Sequence, residues 1–222
     1  MLATHRYRRL REFWDKVRGD DLATRFARIF ATNLWSDETS RSGTGSNLHA
    51  TRILRAELPV ALRRLGASSV LDAPCGDLAW MKHVDLDGIE YHGADIVPAI
   101  IESNRLLHGG RRRFSILDLT RDELPAADVL LCRDCLVHLS FANIRKVIAN
   151  VARSPIRFLF MTSFPGRAQN EDIQDGDWRP LDFEAPPFGL PHPVLTLVEK
   201  CPEGNGGYAD KSLVAWSVEE LR

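Results

Sequence analysis

Four acidic residues in the middle of the chain each lie at or just beyond the end of a short apolar run. They are Asp72, Asp95, Asp118 and Asp134. In an open parallel sheet, ligands bind outside the carboxyl ends of the strands, where a carboxylate can accept hydrogen bonds from a ribose or an amine. Gly76 follows the first acid, and a residue without a side chain lets a ligand approach the backbone closely. This arrangement predicts a ligand site along one edge of a sheet.

The spacing of Gly76 and Asp95 makes this prediction more specific. Asp95 follows Gly76 by 19 positions, close to the separation of about 20 residues at which an acid reaches a ribose hydroxyl in a nucleotide-binding βαβ unit. Each acid could instead cap a helix or anchor a turn, which are common uses of Asp.

The elements that must position these residues alternate between strand and helix patterns. Strands that are apolar throughout indicate a parallel sheet covered on both faces. The last two predicted strands have no helix between them, so an antiparallel edge is expected. The prediction is an α/β fold with a doubly wound, mostly parallel, seven-stranded, Rossmann-like sheet. Its strands are predicted at 69–72, 91–94, 113–117, 128–132, 156–160, 194–198 and 212–216.

Apolar residues at helical spacing, with Pro98 and Ser140 as helix starts, predict the helices. They are expected at 7–18, 21–33, 54–65 (with a kink or a division at Pro59), 78–84, 98–107 and from 140 onward. Loops are expected at 35–47, which is rich in Ser, Thr and Gly, and at 178–193, which contains five prolines. Residues 1–47 would form a helical cap and loop beside one compact domain at 48–222.

The composition narrows the possible partners. A formal net charge of −1 over 222 residues argues against a polyanion such as a nucleic acid. The start of the chain does not resemble a signal peptide, and no apolar window is long enough to span a membrane. The four cysteines do not suggest a disulfide framework. A cytoplasmic protein without a membrane or nucleic-acid partner is expected.

Four segments resemble the motifs of class I S-adenosylmethionine-dependent methyltransferases, in the order that this family has them. They are 70–77, 91–95, 117–119 and 128–138. The resemblance covers residues 48–162 and implies S-adenosylmethionine as the cofactor. It also implies that Asp95 binds both ribose hydroxyls and that Asp118 reads the adenine amine.

The first motif departs from the usual pattern, because only Gly76 remains of its two or three glycines. The form Asp-Ala-Pro-Cys-Gly-Asp resembles a subgroup of small bacterial methyltransferases that also has a Ser-Gly-Thr-Gly-Ser loop and a Trp-Arg-Pro segment. Their equivalents here are 42–46 and 178–180, and the first is expected to close over the cofactor. The predicted cofactor-binding residues are Trp35, Gly43, Asp72, Ala73, Pro74, Gly76, Asp95, Ile96, Asp118, Leu119 and Arg133.

The catalytic candidates follow the fourth strand, beside the expected position of the transferred methyl group. His138 has the side chain for a general base, since its ordinary pKa lies near 6.5. Asp134 would orient the acceptor or the imidazole. The alternative is a structural His138 packed at the start of the helix after Ser140. Cys132 and Cys135 form an isolated C-x-x-C pair without a second pair, so no metal is expected.

The predicted function is methyl transfer to a small hydroxylated metabolite or a sugar, with O-methylation favoured. An amine, carboxyl or protein acceptor stays open. An NAD-dependent or nucleotide-sugar oxidoreductase is the main alternative, although residues 73–78 lack the Gly-x-Gly-x-x-Gly pattern that it requires. A second alternative is a non-catalytic binding protein with a methyltransferase fold.

Overall fold

A computed structural model describes residues 20–35, 40–110, 112–202 and 206–222. The helix predicted over 7–18 lies outside these residues. The helices are α1 Leu22–Thr32, α2 Arg52–Arg64, α3 Pro98–His108 and α4 Phe141–Ala152, with short 3-10 turns at Thr44–Ser46, Met81–His83, Leu136–His138 and Val218–Leu221. The strands are β1 Ser69–Asp72, β2 Glu90–Asp95, β3 Arg113–Ile116, β4 Val129–Cys132, β5 Phe158–Ser163, β6 Leu195–Val198 and β7 Ser212–Ser217.

The seven strands form one sheet in the order β3-β2-β1-β4-β5-β7-β6. The first five are parallel, and β7 is antiparallel to both β5 and β6. The chain builds outward from β1 to β3 and then continues on the other side of β1 with β4, so the strand order reverses between β1 and β4. Ligands bind at such a switch point. The predicted mixed sheet with an antiparallel edge is confirmed.

Helices cover both faces of this sheet, which explains the continuous apolar strands. All of β4 is buried. On one face α4 packs Ile144 and Val147 into the core, and on the other α2 contributes Leu54 and Leu58. Ser140 caps α4, since its hydroxyl accepts a hydrogen bond from the Asn143 backbone N–H. In the described part of the chain, no helix is long and apolar enough to cross a membrane.

One local prediction was wrong, and one of two alternatives at Pro59 is excluded. Residues 78–84 do not form a full helix, because Leu78 has a φ of 56° that interrupts the helical path, and only the turn Met81–His83 follows. At Pro59, where a kink or two consecutive helices were expected, residues 52–64 form one helix with the proline inside it, so the division into two helices does not occur. Buried Leu58 and its neighbours on α2 hold this helix against the sheet, and such packing outweighs the hydrogen bond that a proline removes.

Candidate functional site

A cleft opens at the carboxyl ends of the parallel strands and is closed on its outer side by α1 and the loop that follows it. It contains all of the predicted site residues except Gly43, which lines a second, adjoining cavity. We call the first space the switch-point cavity. Its lining includes Phe26, Phe30, Trp35, Ser42, Asp72, Ala73, Pro74, Gly76, Trp80, Asp95, Ile96, Asp118, Leu119, Arg133, Asp134 and His138.

Asp95 ends β2 at the floor of this cavity and is only 5% exposed. Its two carboxylate oxygens accept hydrogen bonds from the backbone N–H of Gly76 at 3.1 Å and of Val97 at 3.0 Å. Burial raises the pKa of Asp95 to about 6, although the hydrogen bonds from these backbone N–H groups lower it. Each oxygen keeps a further lone pair, so the carboxylate can accept two more hydrogen bonds from a pair of neighbouring hydroxyls.

Gly76 allows another segment of the chain to approach its backbone closely. Its φ of 54° lies in the left-handed region, which glycine adopts without strain. A Cβ at this position would collide with the hydroxyl of Ser42. The turn after β1 and the loop from the N-terminal segment therefore fit together only because residue 76 has no side chain.

Asp72, at the end of β1, has a different environment. It accepts a 2.5 Å hydrogen bond from the Tyr91 hydroxyl and is 3% exposed. Burial raises its pKa to about 7, and the nearby Asp95 adds to this rise while the Tyr91 hydroxyl opposes it. A cationic ligand group beside Asp72 would favour its charged form.

Asp118 lies in the cavity wall, with its carboxylate largely engaged in its own turn. It accepts hydrogen bonds from the backbone N–H of Thr120 at 2.9 Å and from the Thr120 hydroxyl at 2.6 Å. Arg121 lies 3.1 Å from its other oxygen. The acid therefore has less capacity left for a ligand than Asp95 has.

The loop at 40–47, which we call the N-terminal loop, is hydrogen-bonded to the turn after β1 through Asp77. The Ser40 hydroxyl lies 3.0 Å from both Asp77 oxygens, and the Arg41 backbone N–H donates to Oδ2 at 2.8 Å. In return, the Asp77 backbone N–H donates to Ser42 Oγ at 3.1 Å. These bonds hold the outer wall of the cavity, which Trp35 continues, against the strand ends.

Four charged side chains form a cluster beside the two cavities: Arg133, Glu199 and Lys211, which are buried, and Asp134, which is partly exposed. Arg133 makes a bidentate pair with Glu199, at 3.1 Å from Nε and 2.7 Å from Nη2, and also donates to the Gly45 carbonyl at 2.9 Å. Asp134 Oδ2 lies 3.1 Å from Arg133 and 2.7 Å from the Lys211 ammonium. Two cations and two anions thus balance each other.

The balance of this charge cluster depends on close pairing. Burial would raise the pKa of Asp134, but the positive charges of Arg133 and Lys211 outweigh it and hold that pKa well below the ordinary range. Asp134 also has a φ of 50°, a conformation that Asp tolerates better than most residues, and its backbone N–H donates to the Thr162 hydroxyl at 2.8 Å. Its carboxylate is therefore charged and fixed in place.

His138 ends the short turn Leu136–His138 and lines both cavities. Its ring lies 4.7 Å from the Trp35 ring, and its Nδ1 is 2.8 Å from the Asp177 carbonyl oxygen. A carbonyl can only accept, so Nδ1 carries the proton and Nε2 has the free lone pair. Burial lowers the pKa of His138 to about 4, which keeps the ring neutral near pH 7. Within the described residues, Nε2 has no hydrogen-bond partner.

We call the second space the aromatic cavity. It shares Trp35, Ser42, Asp134 and His138 with the switch-point cavity. The rings of Phe164, Trp178 and Tyr208 form a corner in it: Trp178 and Tyr208 are 4.9 Å apart at 75°, and Phe164 lies about 6 Å from each. Also in its lining are Gly43, Thr44, Gly45, Gly176, Asp177, Cys201 and Lys211.

Sequence reasoning missed Lys211, Glu199 and the carbonyl of Asp177. A signal existed for the first two. Because β7 runs antiparallel to the others, the residue before it lies at the carboxyl edge of the parallel strands, and so does the residue after β6. The Glu199 backbone N–H donates to the Lys211 carbonyl at 2.9 Å, which continues the β6–β7 ladder to this edge. No pattern indicated that the Asp177 carbonyl would lie beside His138.

The Cys132–Cys135 pair lies behind the charged loop. Both thiols are free, and a hydrogen bond that the Cys132 thiol donates to Cys135, together with burial, raises the pKa of Cys132 well above its ordinary value. Over the described ranges, no group of three or more His, Cys, Asp or Glu side chains is arranged to hold a metal ion.

No protein-family model matches this chain, and no curated relative was found. Solved structures do match. One is 1,6-didemethyltoxoflavin-N1-methyltransferase from Burkholderia thailandensis, with bound 1,6-didemethyltoxoflavin and S-adenosylhomocysteine, at 18% identity and a TM-score of 0.59 over 87% of this chain and 85% of that one. Another is PigF with SAH, at 14% identity and a TM-score of 0.54 over 75% of this chain and 55% of that one. These similarities show that the chain has the methyltransferase fold.

Other matches are partial. A protein from Pyrococcus horikoshii OT3 matches with 19% identity and a TM-score of 0.43, over 51% of this chain and 54% of that one. The chain therefore spans little more than half the length of PigF and of the Pyrococcus horikoshii protein.

Proposed function

We propose that this protein is an S-adenosylmethionine-dependent methyltransferase that acts on a small hydroxylated acceptor. One observation carries the proposal: the buried carboxylate of Asp95 and the side-chain-free turn at Gly76 meet at the switch point of a methyltransferase fold. The order of the four acids along the chain supports it. The Burkholderia thailandensis structure, which has the same fold, contains S-adenosylhomocysteine.

The residues of the switch-point cavity fit this cofactor chemically. Asp95 has accepting capacity for two ribose hydroxyls. Asp72 is a buried acid to which no cation among the described residues is hydrogen-bonded, which suits the ammonium of an amino acid group. Trp35 offers an aromatic face to a sulfonium. Asp118, Leu119 and Ile96 would enclose the adenine. Because Asp118 already accepts hydrogen bonds within its own turn, it would contribute less to cofactor binding than Asp95.

When bound, S-adenosylmethionine supplies a methyl group on a cationic sulfur. The chain's own contribution is to hold an acceptor beside it, and alignment alone can provide much of the rate. His138 stands where the two cavities join, with Nε2 available to take the proton of an acceptor hydroxyl. Asp134 acts on the acceptor through the charge cluster, while the imidazole is oriented by the Asp177 carbonyl.

The acceptor we propose is a small metabolite or a sugar, methylated on oxygen. The aromatic cavity has the size and wall chemistry for a small molecule, with aromatic faces on one side and polar groups on the other. Residues 1–47 are proposed as a cap on the domain at 48–222, and the cytoplasm as the location.

Titration calorimetry with S-adenosylmethionine, S-adenosylhomocysteine and NAD tests the proposal. We expect the first two to bind and NAD not to bind. Asp95→Asn should weaken S-adenosylhomocysteine binding by at least about tenfold, because charge-assisted hydrogen bonds of about 1.5–3 kcal/mol each are lost. Asp87→Asn, an exposed acid at the opposite edge of the sheet, is the control and should bind normally. Binding of NAD alone would favour the oxidoreductase alternative and overturn the proposal.

A further inference from the structure

We infer that Lys211 is a further catalytic residue, and that the aromatic cavity holds an uncharged, ring-bearing hydroxyl compound whose oxygen receives a hydrogen bond from the Lys211 ammonium. This inference rests on the proposed function and specifies the acceptor site for it. It is carried by the placement of Lys211, the walls of the aromatic cavity and the balance of the surrounding charges.

Lys211 is placed to reach a ligand while remaining held. Its side chain is 6% exposed and lines the aromatic cavity. An ammonium has three N–H donors. One donates to Asp134 Oδ2 at 2.7 Å, whereas Glu199 Oε2 at 3.8 Å is beyond hydrogen-bond distance. Among the described residues no other acceptor receives a hydrogen bond from Lys211, so donor capacity remains for an oxygen in the cavity.

The charges around Lys211 favour an uncharged acceptor. Arg133, Asp134 and Glu199 face it and complete a cluster with no net charge. Across the cavity lie His138, which is neutral, and the half-buried Asp177. A cationic amine would enter beside an ammonium, and an acceptor that carries a carboxylate or phosphate of its own would place that permanent charge beside Asp134. A neutral hydroxyl meets neither penalty and can accept from Lys211.

The aromatic corner selects for a ring. Phe164, Trp178 and Tyr208 contact each other edge to face, and Trp178 is 41% exposed. Their faces would pack against a flat or cyclic body, and burying such area is favourable. A phenol and a sugar both present a hydroxyl on a six-membered ring, and that shared feature is what this cavity would recognise.

The proton step then has a donor on one side and a base on the other. The acceptor O–H bond breaks, its proton passes to Nε2 of His138, and the electron pair stays on the oxygen. Lys211 stabilises the negative charge that develops there, as fixed donors do in other active sites. Because a buried, neutral imidazole is a weak base, an ammonium that makes the hydroxyl more acidic complements it.

A chromogenic phenol tests this directly. 4-Nitrophenol absorbs visible light only when ionised, so its ionisation can be followed on the protein with S-adenosylhomocysteine present. We expect bound 4-nitrophenol to ionise at a pH about one unit or more below that of the free compound, because an ammonium lies beside it. Lys211→Met should remove the shift, and the exposed Lys146→Met control should keep it.

Further variants guard against a folding failure in Lys211→Met, which leaves an unbalanced anion. Asp134→Asn should keep or enlarge the shift, and adding Lys211→Met to it restores the charge balance and should abolish the shift.

Phenol or methyl glucoside should displace the probe. An equal ionisation midpoint with and without Lys211, or displacement by neither compound, would overturn the inference. If S-adenosylhomocysteine binds while the probe shows no shift, only this inference fails. If S-adenosylhomocysteine does not bind, the proposed function fails, and the probe still reports on Lys211.

Discussion

Gly45 lies directly against Asp134: a Cβ on Gly45 would come within 2.8 Å of Asp134 Oδ2 and 3.2 Å of the Lys211 ammonium. The Gly45 carbonyl also accepts from Arg133. The short turn Thr44–Ser46 therefore packs directly on the charge cluster beside the two cavities. This contact links the N-terminal segment to the residues that the proposed chemistry uses.

Gly45→Ala is expected to displace this turn from the charge cluster. Asp134 cannot move aside cheaply, because Arg133, Lys211 and Thr162 all hold its carboxylate. We expect a loss of about 1–3 kcal/mol in the free energy of unfolding, a typical cost of overpacking. Chemical denaturation measures it. Gly110→Ala, where the added Cβ meets nothing within 4 Å, is the control. Equal stability of the two variants would show that the turn adapts without strain.

Closure of the N-terminal loop over the cofactor gives a second prediction. Ser40 and Ser42 bond to Asp77 in the turn beside Gly76, so a ligand in the switch-point cavity would pack against both segments. Backbone amides at 40–47 should exchange hydrogen more slowly when S-adenosylhomocysteine is bound. Amides at 85–89, at the amino edge of the sheet, should not change. Exchange at 40–47 that is the same in both states would argue against a lid.

Asp95 should also make the ligand-free protein less stable as the pH rises. Its pKa is about 6 in the folded chain and near 3.8 when unfolded. Between these values the folded state binds more protons, so the stability that this group contributes is lost as the pH increases from about 4 to 6. Asp72, with a pKa of about 7, acts with the same sign.

Asp95→Asn should therefore flatten the dependence of unfolding free energy on pH. The difference between pH 4 and pH 7 is expected to change by about 2–3 kcal/mol, since each pKa unit corresponds to about 1.4 kcal/mol. Urea denaturation at both pH values measures it, with Asp87→Asn as the control. A profile that is unchanged in Asp95→Asn would mean that burial does not raise the pKa of this acid.

The local part of the site could be predicted from the sequence, and the tertiary part could not. Gly76 and Asp95 both belong to the unit formed by the parallel strands β1 and β2 and their connection, so they are close along the chain as well as in space. Lys211 and Asp134 are 77 positions apart and meet only because β7 inserts antiparallel beside β5. Similarly, the Asp177 carbonyl reaches His138 from a loop without periodicity. Leu78 shows the limit within one segment, since its positive φ replaces a predicted helix by a turn.

The Cys132–Cys135 pair is expected to bind no metal. Cys132 is fully buried with a raised pKa, and metal ligation requires a thiolate. Elemental analysis of the purified protein should find no stoichiometric zinc, and a chelator should leave the melting temperature unchanged. One equivalent of zinc that Cys135→Ser removes would contradict this prediction.

The last prediction concerns His138 as the general base. Its Nδ1–H donates to the Asp177 carbonyl, which directs the lone pair on Nε2 to the junction of the two cavities, and its ring packs against Trp35 with a tilt of 32°. His138→Gln keeps a polar side chain of similar reach but has no basic nitrogen. We expect it to lower turnover by about a hundredfold or more while S-adenosylhomocysteine affinity stays the same, because base catalysis contributes on that scale.

The pH profile separates a basic role from a structural one. Since burial lowers the pKa of His138 to about 4, the imidazole stays unprotonated across the neutral range, and its protonation should reduce turnover only as the pH falls towards about 4. This acid limb should disappear in His138→Gln. The exposed His83→Gln variant is the control and should retain both turnover and limb. If His138→Gln kept near-normal turnover on an identified acceptor, the ring would serve to position Trp35, and alignment of donor and acceptor would carry the catalysis.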